Sequence, residues 1–181
     1  MKAAASLVLA IALGACAGRT AEPPRSFDLG MGVPAARLPA VRVNQVRAAL
    51  PLDGVAMHYR LGWRNAAELD AFANSRWAAP PAELFRKQLL RALGEGVAKC
   101  GLEIELQEFS QVFSTPQSSE ARIELHAALV GPRGRLGARG WNLVEPDAGS
   151  NAAGGAAALA RAADRAVAEI AAWVALQAEC R

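Results

Sequence analysis

The sequence predicts an α+β domain: a single mixed or antiparallel sheet with about three helices packed mainly on one face. Three observations carry this. Apolar and polar residues alternate with period two in several separate short stretches. Between and after them, apolar residues recur at helical spacing. The order is strands, two helices, three strands and one long helix, for which one sheet covered on one side is the economical packing.

Phe27-Asp28-Leu29 reads as a short first strand, followed by a loop flanked by Pro34 and Pro39. Val41, Val43, Val46, Ala48 and Leu50 form a strand-like run whose apolar phase slips between Val43 and Val46. Such a slip predicts a bulge or an edge, and an edge would offer a route to strand addition or a homo-oligomer. Pro51-Leu52-Asp53-Gly54 is turn chemistry. From Val55 to Trp63 the alternation is clean, with His58 on the polar face.

Asn65 is placed to open a helix, with Glu68 at the capping-box position and Leu69, Phe72, Ala73 and Trp77 along one face. Pro80-Pro81 ends it and starts another helix, whose buried stripe is Leu84, Phe85, Leu89, Ala92, Leu93 and Val97. Leu102, Ile104 and Leu106 then alternate with polar residues before the phase shifts to Phe109 and Phe113. The polar stretch from Gln111 to Ser119 reads as a loop open to a partner. Ala121 to Leu129 and Leu136 to Leu143 form a hairpin around Gly131-Pro132-Arg133-Gly134, its Arg133–Arg135 tip a second candidate partner loop. Ser150 or Asn151 begins the last helix, with Leu159, Ala163, Ala166, Val167, Ile170, Trp173 and Val174 at helical spacing.

The N-terminus is organised differently. Lys2, an apolar run from Ala3 to Leu13, and the small residues Gly14 and Ala15 have the order of a secretory signal peptide. Leu13-Gly14-Ala15-Cys16 resembles the bacterial lipobox. That resemblance implies removal of residues 1–15 and acylation of Cys16 by chains such as palmitate, two of which suffice for stable anchoring. Residues 16–26, with Pro23-Pro24, then read as a lipidated tether, and residues 27–181 as one domain. With Cys16 assigned to lipid, Cys100 and Cys180 remain. In an oxidising compartment they are candidates for a disulfide, two separate buried thiols being the other reading.

A formal charge of +3, with arginines scattered along the chain, points to no nucleic-acid partner. No zinc or metalloprotease spacing, phosphate-cradling GxxxxGK[ST] or nucleophile-elbow GxSxG occurs, so neither a metal, a cofactor nor a catalytic residue is indicated. His58 and His126 on polar strand faces read as solvated, and Glu103 and Glu105 as surface carboxylates. Trp77, Phe109 and Phe113 are the candidates for partner or lipid contact, although their spacing also suits core packing.

From Val41 to Val174 the chain resembles the ABC-type transport auxiliary lipoprotein family, the PqiC-like proteins. The resemblance is carried by Val41-Arg42-Val43, Leu52-Asp53, Met57-His58-Tyr59-Arg60-Leu61, Trp77-Ala78-Ala79-Pro80-Pro81, Phe109-Ser110-Gln111-Val112-Phe113 and the alanine-rich helix ending in Ile170-Ala171-Ala172-Trp173. It implies a non-enzymatic accessory lipoprotein that docks the periplasmic MCE-domain (mammalian cell entry) component of an ABC permease/ATPase system for intermembrane lipid transport. Ala17 after Cys16, rather than the Asp that resembles an inner-membrane retention signal, implies the outer membrane. A small tethered α+β domain would also suit a lipoprotein regulator of a cell-wall synthesis enzyme, or a carrier of lipid in a pocket.

Overall fold

A computed structural model describes residues 23–34, 36–146 and 149–180. It shows one mixed, open sheet of seven strands with three helices, an α+β fold. The strands are β1 (Arg25–Phe27), β2 (Val41–Ala48), β3 (Ala56–Leu61), β4 (Asp70–Trp77), β5 (Cys100–Thr115), β6 (Ser118–Gly131) and β7 (Gly134–Pro146). The helices are α1 (Gly62–Asn65), α2 (Pro81–Ala92) and α3 (Ala152–Ala175). The signal peptide, Cys16 and most of the tether lie outside the described residues. The sheet takes up Arg25 and Ser26, which the sequence reading gave to the tether. Among the described residues, no helix is long and apolar enough to cross a membrane.

The sheet is arranged around β5. One edge pairs antiparallel with β6, and β6 with β7. The other edge takes two strands end to end, both parallel to it: β2 against Cys100–Leu106 and β3 against Ser110–Phe113. Beyond β3 lie β4, antiparallel, and β1, parallel to β4. The register of β5 shifts between Leu106 and Glu108, where one extra residue, Gln107, faces the unbroken alternation of β6. Before the bulge the even-numbered Leu102, Ile104 and Leu106 point inward; after it Phe109 and Phe113 do. The phase slip read in Val41–Leu50 is a second bulge, between Val43 and Gln45.

Helices α2 and α3 cover one face. Asn151 caps α3, its Oδ1 accepting from Ala153 N and Gly154 N at 3.0 Å each. The buried stripe of α3 packs on β6 and β7, with Trp173 edge-on to Trp141 at 5.6 Å. Pro81 starts α2, whose buried residues include Leu84, Phe85 and Leu89. Trp77 and Phe109 meet edge-to-face at 5.4 Å in the centre of the core. A disulfide joins Cys100, the first residue of β5, to Cys180 in a terminal 3₁₀ turn, with Cα atoms 5.4 Å apart. Closing a loop over a separation of 80 residues constrains the unfolded chain by about 4 kcal/mol in the chain-entropy treatment.

Three expectations are corrected. The stretch from Asn65 to Trp77 is not a helix. Asn65 ends the single turn of α1, its Oδ1 accepting from Ala67 N at 3.1 Å, and the chain continues as β4. Between the pairs Ala56↔Arg76 and His58↔Ala71, four residues of β4 oppose one of β3, Met57. That irregularity hides the period-two pattern and lets Phe72 and Trp77 mimic helical spacing; pairing with β3 and β1 overrides local preference. The Gln111–Ser119 stretch is not a loop either, since β5 and β6 continue through it to a tight turn at Pro116-Gln117. Val97 is 86% exposed rather than part of the α2 stripe. The helix stops at Ala92 because Gly94 passes under Leu38: a Cβ there would sit 2.9 Å from the Leu38 carbonyl oxygen.

Because Phe109 is 1% exposed at the point where the two halves of the sheet join, Phe109→Ala is expected to cost about 3–5 kcal/mol of unfolding free energy. Urea unfolding of wild type and variant measures it.

Candidate partner-binding face

With both long helices on one side, the opposite face of the sheet is left to polar side chains. The register brings them into rows. Arg47, Glu105, His126 and Gly140 form one, across β2, β5, β6 and β7; Gln45, Glu103, Ala128 and Ala138 form the next. Among the described residues, three ion pairs lie on this face. Arg47 Nε donates to Glu105 Oε2 at 2.9 Å, Arg60 Nη2 to Glu108 Oε2 at 2.7 Å, and Arg122 Nη2 to Glu120 Oε1 at 2.6 Å. Ala128, Ala138 and Gly140 carry almost no side chain, so a trough of about 380 Å³ opens between Glu103, Glu105, His126 and Arg135. The His126 ring closes over Gly140, where a Cβ would approach within 3.4 Å of it.

The hydrogen bonds from Arg47 hold the Glu105 carboxyl below the usual carboxylate range, against a smaller opposing effect of burial; the charges of Arg47 and His126 and a bond from Gln107 act in the same direction as Arg47. A depressed carboxylate gives stability above its unfolded-state value that is lost as pH falls through the folded one. At neutral pH the Glu105 carboxylate is therefore ionised and paired with Arg47. Among the described residues, no group of three His, Cys, Asp or Glu is placed to hold a metal.

The aromatic candidates lie elsewhere. Trp77, Phe109 and Phe113 are buried, at 1%, 1% and 7% exposure, and present no docking surface. Phe113 packs edge-on to Tyr59 at 6.0 Å, and Tyr59 against Phe72 at 4.7 Å. Among the described residues, the exposed aromatic is Trp63 of α1, at 52%. Its signal in the sequence was its place at the very end of an alternating run, just before Arg64-Asn65, where the strand can no longer cover it. His58 faces Asp70, its Nδ1 3.3 Å from the backbone oxygen, away from His126. At the second candidate loop, the hairpin tip, Arg133 pairs with Glu179 at 3.4 Å.

The helical side holds one polar contact of note. Gln88, 3% exposed, donates from Nε2 to Asp164 Oδ1 at 2.8 Å, pinning α2 to α3. Burial pushes the Asp164 carboxyl up, offset in part by the Arg91 charge. A raised carboxylate favours folding below its unfolded-state value and loses that contribution as pH rises through the folded one. Asp164→Asn keeps an acceptor for Gln88 and removes the buried charge. It is expected to flatten the pH dependence of stability above the ordinary aspartate range without loss at neutral pH, as read by urea midpoints at a series of pH values.

Comparison with known proteins bears on the whole chain. The family model for the ABC-type transport auxiliary lipoprotein component matches residues 30–171. Among curated proteins, none matches. A crystal structure of a Xanthomonas campestris protein of the DUF330 family superposes with a TM-score of 0.67 at 18% identity, covering 84% of this chain and 92% of its own. A second solved structure, of an uncharacterised protein, gives 0.67 at 16% identity, covering 84% and 99%. At such identities the likeness shows a shared fold.

Proposed function

The chain belongs to the ABC-type transport auxiliary lipoprotein family, and from that premise we propose that it is a lipid-anchored periplasmic accessory of an ABC/MCE-type lipid transport system. It docks the MCE-domain component, and through it the permease and ATPase, at the outer membrane. The carrying observation is the family match over residues 30–171, directly downstream of Leu13-Gly14-Ala15-Cys16. The family is one of transport auxiliaries, not of enzymes. Its role here is attachment: Cys16 bears the lipid, and the domain offers a rigid folded surface to a partner.

The open sheet face supports docking on two counts. It spans several strands that neither long helix covers, and three of its arginines are already held in ion pairs. A partner with the complementary pattern finds donors and acceptors held in place, which lowers the ordering cost of association. Ala17 after Cys16 supports sorting to the outer membrane.

Two outcomes test this. Membrane fractionation is expected to place the wild-type protein with the outer membrane and Cys16→Ala in the soluble periplasmic fraction; recovery of wild type with the inner membrane sinks the sorting argument. Affinity purification of the intact lipoprotein is expected to retain an MCE-domain protein together with an ABC permease and ATPase. Glu103→Lys combined with Glu105→Lys, reversing two charges beside the trough, is expected to reduce that recovery at least tenfold, on the scale of charge-pair couplings at protein interfaces.

A further inference from the structure

The segment after β1 crosses the outside of the helical layer. Leu29 seats it in the core, and Arg91 Nη1 holds it by donating to Gly30 O at 2.9 Å. Beyond that point Met31 and Val33 stand 89% and 90% exposed, and Leu90 of α2 is 42% exposed. Arg86 and Lys87, exposed on α2, line a groove of about 580 Å³ with Leu90 and Asp28. Neither cation takes part in a salt bridge among the described residues. Of the nearby acids, Asp28 accepts from Gly30 N at 2.7 Å, and Glu83 lies in the first turn of α2. The patch therefore combines projecting apolar side chains with a positive excess, Arg86, Lys87 and Arg91 lining the groove against Asp28 and Glu83.

That combination suits an anionic phospholipid surface: apolar tips enter the headgroup layer, and each nearby Lys or Arg gains attraction from the negative leaflet. The chain itself brings the patch there. Only six residues lie between Cys16 and Pro23, the first described residue, and the seven steps reach about 25 Å at full extension. We propose that the surface formed by Met31, Val33, Arg86, Lys87 and Leu90 rests on the anionic membrane holding the anchor, fixing the orientation of the domain. The inference rests on the proposed acylation of Cys16.

Full-length lipoprotein is purified and its intact mass measured, then reconstituted into vesicles of phosphatidylcholine and phosphatidylglycerol (3:1) carrying a headgroup quencher. With Cys100 and Cys180 bonded and Cys16 acylated, an introduced cysteine offers a thiol for labelling. A fluorophore on Met31→Cys is expected to be quenched several-fold more than one on Glu124→Cys, on the opposite face. Arg86→Gln with Lys87→Gln, whose side chains are exposed, is expected to lower the touching-to-free ratio on the order of tenfold. Equal quenching at both positions, or quenching unchanged on pure phosphatidylcholine, overturns the orientation while leaving the anchor intact. Shielding of position 31 from aqueous quencher without lipid quenching would assign the patch to a second protein copy and also overturns it. A mass without acyl chains overturns the anchoring reading, and the orientation with it.

Discussion

The bulge at Gln107 is the constraint on which the sheet depends. β5 is sixteen residues long, and its partner β6 keeps one parity throughout, with Ala121, Ile123, Leu125, Ala127 and Leu129 all turned to the helices. β5 changes parity within that span. The extra residue absorbs the change, so Leu102, Ile104 and Leu106 on one side of it and Phe109 on the other all reach the same core. It also falls where β2 stops and β3 has not begun, with Ala49 N donating to Leu106 O at 2.8 Å across the junction. Two short parallel strands can thus share one edge of a single long strand. Without the shift, either half of β5 would turn its apolar residues to solvent.

The C-terminal half secures what that strand begins. α3 lies across β6 and β7, and its arginines reach back to the sheet: Arg165 donates to Val144 O at 2.8 Å and pairs with Glu145. Arg161 donates to Pro146 O. These contacts tie the end of β7 to the middle of the helix, while the Cys100–Cys180 bond ties the end of the chain to the start of β5. Gly155 explains the tight seating of the first helical turn. A Cβ there would lie 2.2 Å from Gln111 Oε1, so the glycine lets the backbone of α3 approach a buried polar side chain of β5.

Elements with one buried face and one solvated face could be read from the sequence. Their pattern is set by two environments alone, as in β6, α2 and the whole of α3 with its Asn151 cap. β4 could not, because its irregular pairing with β3 erases the alternation and its placement depends on strands far away in sequence. The end of the β5–β6 hairpin was hidden for another reason. Ser114, Thr115 and Ser118 are polar because the hairpin extends into solvent, which composition alone cannot distinguish from a loop. The trough was out of reach for the same reason as β4. Ala128, Ala138 and Gly140 are unremarkable singly, and only cross-strand register sets them side by side. Trp63 and Trp77 each end an apolar run; which of them is covered is decided by β1 and β5, not by the run itself.

The two faces of this sheet are charged in different ways, and that difference divides the labour of an anchored domain. On the open face Arg47 and Arg60 pair with carboxylates of the neighbouring strand β5 and Arg122 with Glu120 of its own strand, so part of the charge pattern is fixed before any partner arrives. On the helical face Arg86 and Lys87 form no salt bridge among the described residues and stand beside the exposed Leu90, with Met31 and Val33 exposed as well. A short leash makes the membrane the surface most often within reach of the helical side. On the proposed orientation, resting that side on lipid turns the patterned face toward the aqueous space, where a second protein can meet it. The anchor then sets direction as well as location, and the sheet's one-sided packing is what allows a single small domain to face two partners at once.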